Sequence, residues 1–235
     1  MSDKINSMFS SISASYDRLN KIISLGLDKK WRKKTALKCL DMPGELNILD
    51  VATGTGELAI EISKIAAHNN RLVNIIGVDF NEDMLKIAEA KIKNLNIQNI
   101  KLINQDVLST TFDNNSFDVI TSAFALRNLD SLDQFINEIN RILKNKGKIV
   151  FLDVLKPGLI FSKLLKFYYF YVIPLLGSKV NKDAYNYLVM SLWMFDKNKF
   201  INLLKDRGFI NIKLENTIFG TAFIVSAEKS VMIER

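Results

Sequence analysis

A glycine-rich turn at the end of an apolar strand pattern is the part of the sequence best suited to bind a ligand. It lies in the segment DVATGTGELA, from Asp50 to Ala59, where the strand pattern changes to a helical one. Gly54 and Gly56 permit a tight turn and let a ligand approach the backbone at the N-terminus of the helix. Because the same letters fit the dinucleotide pattern G-x-G-x-x-A, the turn alone does not identify the ligand.

Three aspartates, each at the end of a predicted strand, indicate the charge of that ligand. Asp50 precedes the glycines, where it can bind the cationic amine of a methionine and would repel a dinucleotide pyrophosphate. Asp79 can accept hydrogen bonds from both ribose hydroxyls, and Asp106 from an adenine amino group. An aspartate near a strand end often only forms a turn or a cap. The set of three beside the glycines nevertheless favours a cationic nucleoside, S-adenosylmethionine, over an anionic one.

The elements that position these residues alternate between strand and helix patterns from Leu46 to Lys148, which is typical of βαβ units and a mainly parallel sheet. The pattern predicts five strands in this region: Asn47–Ala52, Val73–Asp79, IKLINQD, FDVITSA and Lys148–Val154. Asn81 is predicted to cap the helix after the second strand, and Gly147 to end the helix that Asp130 opens. A capped helix from Asp196 to Arg207 and two further strands, FINIKLEN and TAFIVSAEK, complete the sheet.

A single domain is expected, because 235 residues of which 48% are apolar suffice for one continuous core. It divides into an N-terminal helical cap (1–45), a cofactor-binding core (46–156), an insertion (157–195) and a C-terminal helix with strands (196–235). The insertion contains the apolar, aromatic segment from Gly158 to Gly177, which is too short before Pro174, and too charged, for a transmembrane helix. An active-site cover, a contact with a membrane surface and a plain core helix all fit this pattern.

Composition excludes several classes of protein. The lone Cys39 cannot form an internal disulfide, and no Cys/His cluster could build a zinc site, so no metal is expected. His68 is the only histidine and is predicted in a loop opposite the ligand crevice, which excludes Ser-His hydrolases and His-based dehydrogenases. The start MSDKINSMFSS lacks the features of a signal peptide, so we expect a cytoplasmic location, with peripheral attachment to the inner face of the membrane as a further expectation.

The net charge of +7 permits nucleic acid, anionic lipid or acidic substrates as partners and does not choose among them. A solvated lysine surface explains it equally well. One group of basic residues stands apart, because it clusters around Trp31 within a single predicted helix: Lys29, Lys30, Arg32, Lys33 and Lys34.

Five segments resemble, in the same order along the chain, the C-methyltransferases of menaquinone and ubiquinone biosynthesis. They are Phe9–Lys34, the glycine turn, Asp113–Asp133, Phe151–Pro157 and Asp183–Phe195. The FALRN run and the Tyr-Asp-x-x-Asn element at Tyr16 are specific to this family among Rossmann-like methyltransferases. The resemblance implies an α/β, Rossmann-like class I methyltransferase fold with a mainly parallel seven-stranded sheet flanked by helices. The chain departs from the family at Asp153-Val154-Leu155, where relatives usually carry Glu-Phe-Ser, and at IFGTAFIVSAEK, which replaces a glycine-rich ending that contains histidine.

The resemblance also implies which residues contact the cofactor and the substrate. Thr55, Asp79 and the Asp106-Val107 pair would contact S-adenosylmethionine, together with Ala123, which stands where many relatives carry serine. Arg127 and Tyr16 would border the substrate.

The reaction expected from this resemblance is transfer of the sulfonium methyl group to a ring carbon of reduced demethylmenaquinone, with the reacting atoms held about 3 Å apart. Arg127 would stabilise the developing phenolate. Tyr16, Asp153 or a water held by them would accept the proton. The alternative for Arg127 is a structural ion pair with a nearby acid. The expected partners are the lipid-soluble demethylmenaquinol and, transiently, a membrane surface, with a homodimer left open.

Four other functions must be weighed against this one. A ubiquinone-precursor methyltransferase, or another small-molecule methyltransferase, would share the same site. A nucleic-acid methyltransferase would carry Asn/Asp-Pro-Pro-aromatic or a cysteine after the fourth strand, where this chain has SAFALR, so nucleic acid is not expected as a partner. A nicotinamide-dependent oxidoreductase is disfavoured by Asp50, and a non-catalytic lipid-binding protein would leave the glycine turn without a purpose.

Overall fold

The computed structural model describes residues 3–155, 168, 171, 187–188, 190–192, 195–217 and 220–231. The predicted insertion over 157–195 lies mostly outside these residues. The same holds for most of the segment Gly158–Gly177 and of the motif Asp183–Phe195.

A seven-stranded sheet with the order β3-β2-β1-β4-β5-β7-β6 forms the centre of the molecule. Strands β1 to β5 run parallel, whereas β7 pairs antiparallel with both β5 and β6. The mainly parallel seven-stranded sheet predicted from the sequence is therefore confirmed. The strands are β1 (Leu46–Val51), β2 (Val73–Asp79), β3 (Ile100–Asn104), β4 (Phe117–Ala123), β5 (Leu143–Val154), β6 (Phe209–Asn216) and β7 (Ala222–Lys229).

Seven helices among the described residues surround this sheet. They are α1 (Asp3–Ile12), α2 (Tyr16–Ile23), α3 (Asp28–Cys39), α4 (Glu57–His68), α5 (Glu82–Asn94), α6 (Leu132–Ile142) and α7 (Lys197–Asp206). Short 3-10 turns lie at Ser13–Ser15 and Leu126–Asn128. The predicted cap at Asn81 is confirmed, because its side chain accepts a hydrogen bond from the backbone N–H of Met84. Asp196 caps α7 in the same way.

Two helices, α6 and α4, differ from the prediction in their bounds. Ser131, not Asp130, caps α6, and this helix ends at Ile142 instead of Gly147. The chain then enters β5 through an irregular stretch, since Phe117 pairs with Leu143 while Val119 pairs with Lys148. Gly147 is needed inside this stretch, because a Cβ there would lie 2.7 Å from the carbonyl oxygen of Lys144. From sequence alone, a glycine needed at a β-bulge cannot be told from a glycine that ends a helix, which explains the wrong prediction for Gly147.

The second of these helices is α4, which continues through His68. The histidine therefore lies in the last turn of a helix and not in the loop where the sequence placed it. It is exposed to solvent.

Both faces of the sheet are covered by apolar side chains. Val150 and Leu152 of β5 pack in the cluster that contains residues of α1 to α4, whereas Ile149 and Phe151 pack in the cluster with α6 and α7. This alternation is expected of a strand that is buried on both faces.

Cys39 is fully buried in the first cluster, and burial raises the pKa of its thiol to about 12. The thiol therefore stays protonated and behaves as a small apolar residue. No helix among the described residues is long and apolar enough to cross a membrane.

Candidate cofactor and active site

The glycine turn connects β1 to α4 through backbone conformations that side chains rarely adopt. Gly54 and Gly56 have φ angles of 56° and 78°, in the left-handed region that glycine tolerates best. A Cβ on Gly56 would also lie 3.0 Å from Cβ of Ala88 in α5. Gly56 therefore serves the close packing of α4 against α5, and Gly54 faces the ligand crevice.

Asp50 lies at the end of β1 with its side chain fully removed from solvent. Its Oδ2 accepts a hydrogen bond of 2.6 Å from the hydroxyl of Thr53, whereas Oδ1 has no hydrogen-bond partner among the described residues. Burial raises the pKa of this carboxyl to about 7, although the hydrogen bond from Thr53 opposes the rise. A buried acceptor without a partner is unfavourable, so Asp50 fits the ammonium group of a bound methionine moiety.

Asp79 joins the glycine turn to the start of α5. Its Oδ2 accepts a hydrogen bond of 2.8 Å from the N–H of Gly54, and Oδ1 accepts one of 2.9 Å from the N–H of Asn81. Burial raises the pKa of this carboxyl to about 6, and the backbone hydrogen bonds limit the rise. Each carboxylate oxygen can accept more than one hydrogen bond, so Asp79 can still receive two ribose hydroxyls.

Two adjoining cavities, of about 50 and 40 Å³, lie where β1, β2 and β4 end. The residues that line them include six of those predicted for the site: Tyr16, Asp50, Gly54, Thr55, Asp79 and Ala123. Others were not predicted: Phe9, Asn20, Arg32, Thr53, Glu57, Phe80, Met84 and Phe124. A crevice beyond the carboxyl ends of parallel strands is the usual ligand site of such folds.

Three residues predicted to contact the cofactor do not line these cavities. Besides Gly56, they are Asp106 and Val107. Asp106 is exposed, and its Oδ1 accepts a hydrogen bond of 2.9 Å from the N–H of Leu108 in its own turn. Val107 is buried in the apolar cluster that contains α6 and α7. A cofactor contact by either residue remains a prediction.

The helices α1 and α2 close over the crevice as a cap. The hydroxyl of Thr55 in the glycine turn donates a hydrogen bond of 2.6 Å to Asp17 of α2. Lys91 of α5 forms ion pairs with both Asp17 and Glu57. Ligand pockets usually measure several hundred Å³. Because the cavities beneath the cap are far smaller, the cap has to move for a nucleoside to enter.

A second polar anchor ties the cap to α5. The side-chain nitrogen of Asn81 donates hydrogen bonds to Oδ1 of Asn6 and to the hydroxyl of Ser10, at 2.6 and 2.9 Å. Asn81 therefore caps α5 with its oxygen and holds α1 with its nitrogen.

Arg127 and Asp153, the other two residues predicted to be catalytic, form a buried ion pair that is not part of the described lining of the two cavities; Arg127 instead lines a separate pocket with residues of α6 and α7. Nη1 of Arg127 lies 2.6 Å from Oδ1 of Asp153, and the two side chains are only 3% and 0% exposed. Arg127 also donates to the carbonyl oxygen of Phe124 and to the hydroxyl of Ser191. The ion pair considered as an alternative in the sequence analysis is thus present. Nη2 of Arg127 has no hydrogen bond among the described residues, so this part of the guanidinium is available to a substrate.

Tyr16 lines both cavities at the start of α2. Burial raises the pKa of its phenol above the usual value, while the positive charge of Arg127 opposes the rise. The phenol is therefore protonated at neutral pH, and it can donate a hydrogen bond more readily than it can accept a proton.

Comparisons with known proteins place these features in a family context. A model of the family described as "ubiE/COQ5 methyltransferase family" matches residues 1–229. The demethylmenaquinone methyltransferase of Staphylococcus saprophyticus is 36% identical to this chain over 224 residues, which are 94% of each protein. The ubiquinone/menaquinone biosynthesis C-methyltransferase UbiE of Rickettsia prowazekii is 36% identical over 231 residues, covering 96% of this chain and 92% of the relative.

Solved structures agree on the fold. A SAM-dependent methyltransferase from Aquifex aeolicus superimposes with a TM-score of 0.63 and 17% identity, over 90% of this chain and 97% of that one. A likeness at this level of identity bears on the architecture and not on the substrate. The class I methyltransferase fold expected from the sequence is confirmed.

The buried carboxyls lead to the first prediction, that affinity for S-adenosylmethionine rises between about pH 5.5 and 7.5. With pKa values of about 7 and 6, Asp50 and Asp79 bind protons in the lower part of this range. A cationic ligand favours the ionised forms, so binding releases protons and affinity is lost as the pH falls through these pKa values. We expect a loss of up to about tenfold per pH unit for each protonated group. Calorimetry in buffers of different ionisation enthalpy measures both quantities.

Two variants control this measurement. Asp50→Asn should bind more weakly at every pH and release fewer protons at neutral pH. Asp206→Asn, which changes an exposed carboxylate on α7, should behave like the parent protein. Affinity that does not depend on pH, without proton release, would contradict the prediction.

Proposed function

The chain belongs to the ubiE/COQ5 methyltransferase family, and we propose that it methylates a ring carbon of reduced demethylmenaquinone, with S-adenosylmethionine as the methyl donor. The family supplies the type of reaction, and the name of the Staphylococcus saprophyticus relative, demethylmenaquinone methyltransferase, supports the substrate. One observation of the structure carries the proposal. Asp50 presents a buried carboxylate oxygen that has no hydrogen-bond partner among the described residues, at the end of β1 beside the glycine turn, where a cationic amino acid moiety would satisfy it.

The two cavities suit the two halves of this cofactor. Asp79, Phe80 and Met84 line the larger, apolar one. Once the cap has moved and this cavity has widened, the ribose would lie against the carboxylate of Asp79 and the adenine against the apolar walls. Asp50 lines the smaller, polar one, which suits the methionine moiety. Tyr16 and Phe124 line both cavities, so the sulfonium between the two halves would lie beside them.

The bound cofactor supplies an electrophilic methyl group on a sulfonium, which departs as a neutral thioether. The ring carbon of the quinol provides the electron pair of the new carbon–carbon bond, and the hydrogen of that carbon leaves afterwards as a proton. Arg127 stabilises the phenolate that makes the ring nucleophilic, through Nη2, which makes no hydrogen bond to the part of the chain that the structure describes. Asp153 holds the guanidinium in place by accepting from the backbone N–H and Nη1 of Arg127.

Water takes up the phenolic proton. Tyr16 is a poor acceptor, because its raised pKa keeps the phenol protonated. Asp153 is equally unsuited, since its two oxygens already accept hydrogen bonds from Arg127 and from the N–H of Val154. Tyr16 instead orients the phenolic oxygen by donating a hydrogen bond to it.

Methyl transfer from labelled cofactor tests the function directly. The substrates would be reduced demethylmenaquinone, its oxidised quinone, a ubiquinone precursor and bulk RNA. Label should enter the reduced quinol, and the oxidised quinone should be inert because its ring carbon is electron-poor. Transfer to RNA, or no transfer to any quinol by a protein that binds the cofactor, would refute the proposal.

A ubiquinone precursor is the second candidate substrate. The name of the Rickettsia prowazekii relative includes both ubiquinone and menaquinone, and a ring with the same electron-rich carbon would meet the same residues. Comparable kcat/KM on both quinols would indicate a dual enzyme.

Arg127→Met should lower kcat by about a hundredfold or more, whereas affinity for S-adenosylmethionine should change little. Because methionine leaves the carboxylate of Asp153 buried and unpaired, this variant also loses stability. The double variant Arg127→Met/Asp153→Asn removes the remaining charge and should regain stability while staying inactive. Steady-state kinetics, calorimetry and urea unfolding provide the three measurements. Recovery of activity in the double variant would mean that Arg127 has only a structural role.

Contact with a membrane surface belongs to the proposal, because the isoprenoid tail of the substrate stays in the bilayer. The structure corrects the predicted basic cluster on α3. Trp31 and Arg32 point inward and are each 6% exposed, so Trp31 cannot insert into lipid. Lys29, Lys30 and Lys33 are exposed on the outer face of the helix.

The aromatic insertion contributes less to this part of the proposal. Phe167 and Phe170 lie outside the described residues. The hydroxyl of Tyr168 donates a hydrogen bond of 2.8 Å to the carbonyl oxygen of Ile22, which directs it toward α2. Tyr171 is 68% exposed and is the described aromatic residue that could reach a lipid surface.

Co-sedimentation with vesicles that contain phosphatidylglycerol tests the lysines. Each lysine near an anionic surface contributes about 1 kcal/mol, so changing Lys29, Lys30 and Lys33 to glutamine should weaken vesicle binding by roughly a hundredfold. High salt should weaken the parent protein in the same way. The matched control changes three exposed lysines elsewhere, Lys93, Lys205 and Lys213. Equal loss in both triple variants would show that only net charge matters and that α3 is not the contact face.

A further inference from the structure

Arg32 is a buried cation on the wall of the polar cavity. Its side chain is 7% exposed, and it lines the same cavity as Asp50 and Thr53. In the sequence Arg32 is one of five clustered basic residues on a predicted helix. In the structure it is buried, whereas the four lysines of that cluster are exposed. A buried guanidinium needs partners for its five N–H groups.

The contacts of Arg32 fix its position and leave part of it unused. Nη2 is paired with Asp28, one helical turn earlier, and the hydroxyl of Ser24 holds Asp28 by donating a hydrogen bond of 3.0 Å. The guanidinium carbon lies 5.7 Å from the centre of the Phe124 ring. Neither Nε nor Nη1 makes a hydrogen bond among the described residues. Arg32 is thus held in a fixed position, and its Nε and Nη1 remain able to donate hydrogen bonds to a ligand.

The charges of the polar cavity are unbalanced. Its charged lining residues are three acids, Asp17, Asp50 and Glu57, and a single cation among the described residues, Arg32. Asp17 and Glu57 are both paired with Lys91. Asp50 is thus the lining acid without a cationic partner among the described residues, and Arg32 is the lining cation that, although Nη2 is paired with Asp28, still has unused donors at Nε and Nη1.

A free amino acid moiety carries one ammonium and one carboxylate, so its site requires one partner of each sign. The N-terminus of α4 is the other feature that could receive a carboxylate. It is a poor candidate, because Glu57 lies in the first turn of that helix and the N–H of Gly56 already donates to Thr53.

We propose that Arg32 binds the carboxylate of the cofactor's methionine moiety, while Asp50 binds the ammonium. This inference rests on the proposed function, since it presupposes that S-adenosylmethionine is the cofactor. The planar guanidinium can present two parallel N–H groups to the two oxygens of a carboxylate. Glu57, whose Oε2 lies 3.8 Å from Nη2 of Arg32, retains Lys91 as its partner when the ligand arrives.

Decarboxylated S-adenosylmethionine provides the test, because it keeps the ammonium and the sulfonium but lacks the carboxylate. Calorimetry should show that the parent protein binds S-adenosylmethionine more tightly than the decarboxylated compound by about tenfold or more. Arg32→Met should lose about tenfold or more of its affinity for S-adenosylmethionine and keep its affinity for the decarboxylated compound within about twofold. The preference of the parent protein would then disappear.

The controls separate recognition from folding. Since Arg32→Met leaves Asp28 unpaired, Asp28→Asn/Arg32→Met supplies a version without a buried lone charge, and it should show the same loss of preference. Lys205→Met removes an exposed lysine on α7 and should bind both ligands as the parent does. Equal loss of affinity for both ligands in the Arg32 variants would overturn the inference, as would a parent protein that binds both ligands equally. A parent protein that binds neither ligand would instead refute the proposed function.

Discussion

Burial of two carboxylates at the carboxyl edge of a parallel sheet is the constraint on which the rest of the site depends. Asp50 and Asp79 end adjacent strands, and Gly77 pairs with Asp50 in the register of β1 and β2. A Cβ on Gly77 would lie 3.1 Å from Oγ1 of Thr53, the hydroxyl that donates to Asp50. The missing side chain therefore makes room for the residue that orients the acid. Removing carboxylates from water is unfavourable until a cation arrives, which is the property a site for a sulfonium and an ammonium requires.

The cap extends the same electrostatic arrangement. Asp17 and Glu57 add two more negative charges to the crevice; Lys91 pairs with both, offsets one of these two charges and joins α2, α4 and α5. Arg32 and Asp28 are paired in a similar way on α3. These ion pairs hold the cap in place, while Asp50 and the part of the Arg32 guanidinium that is not bound to Asp28 line the polar cavity. The same set of ionic contacts therefore stabilises the cap and shapes the site that binds the ligand.

Most of the fold follows from patterns that are local in sequence. The bounds of β2, β4 and β6 agree with those predicted from their strand-like runs. The start of β5 could not be predicted, since its bulge depends on pairing with β4. The burial of Arg32 was not predicted from the sequence, for a different reason. Its neighbours suggested a solvated basic face, and only the spacing of Asp28 and Arg32, four residues apart, pointed to a buried pair.

The antiparallel strand β7 lies between β5 and β6, and this position affects how the protein folds while it is being translated. Until Ala222–Lys229 leaves the ribosome, β5 is an open edge of twelve residues in a nascent chain. Ribosomes add about 5–20 residues per second, so the segment between the two strands takes several seconds to appear. During that interval the edge offers unpaired backbone groups and an apolar face to other chains. The nascent protein is accordingly most in need of chaperones after the cofactor-binding core (46–156) has been made and before β6 and β7 complete the sheet.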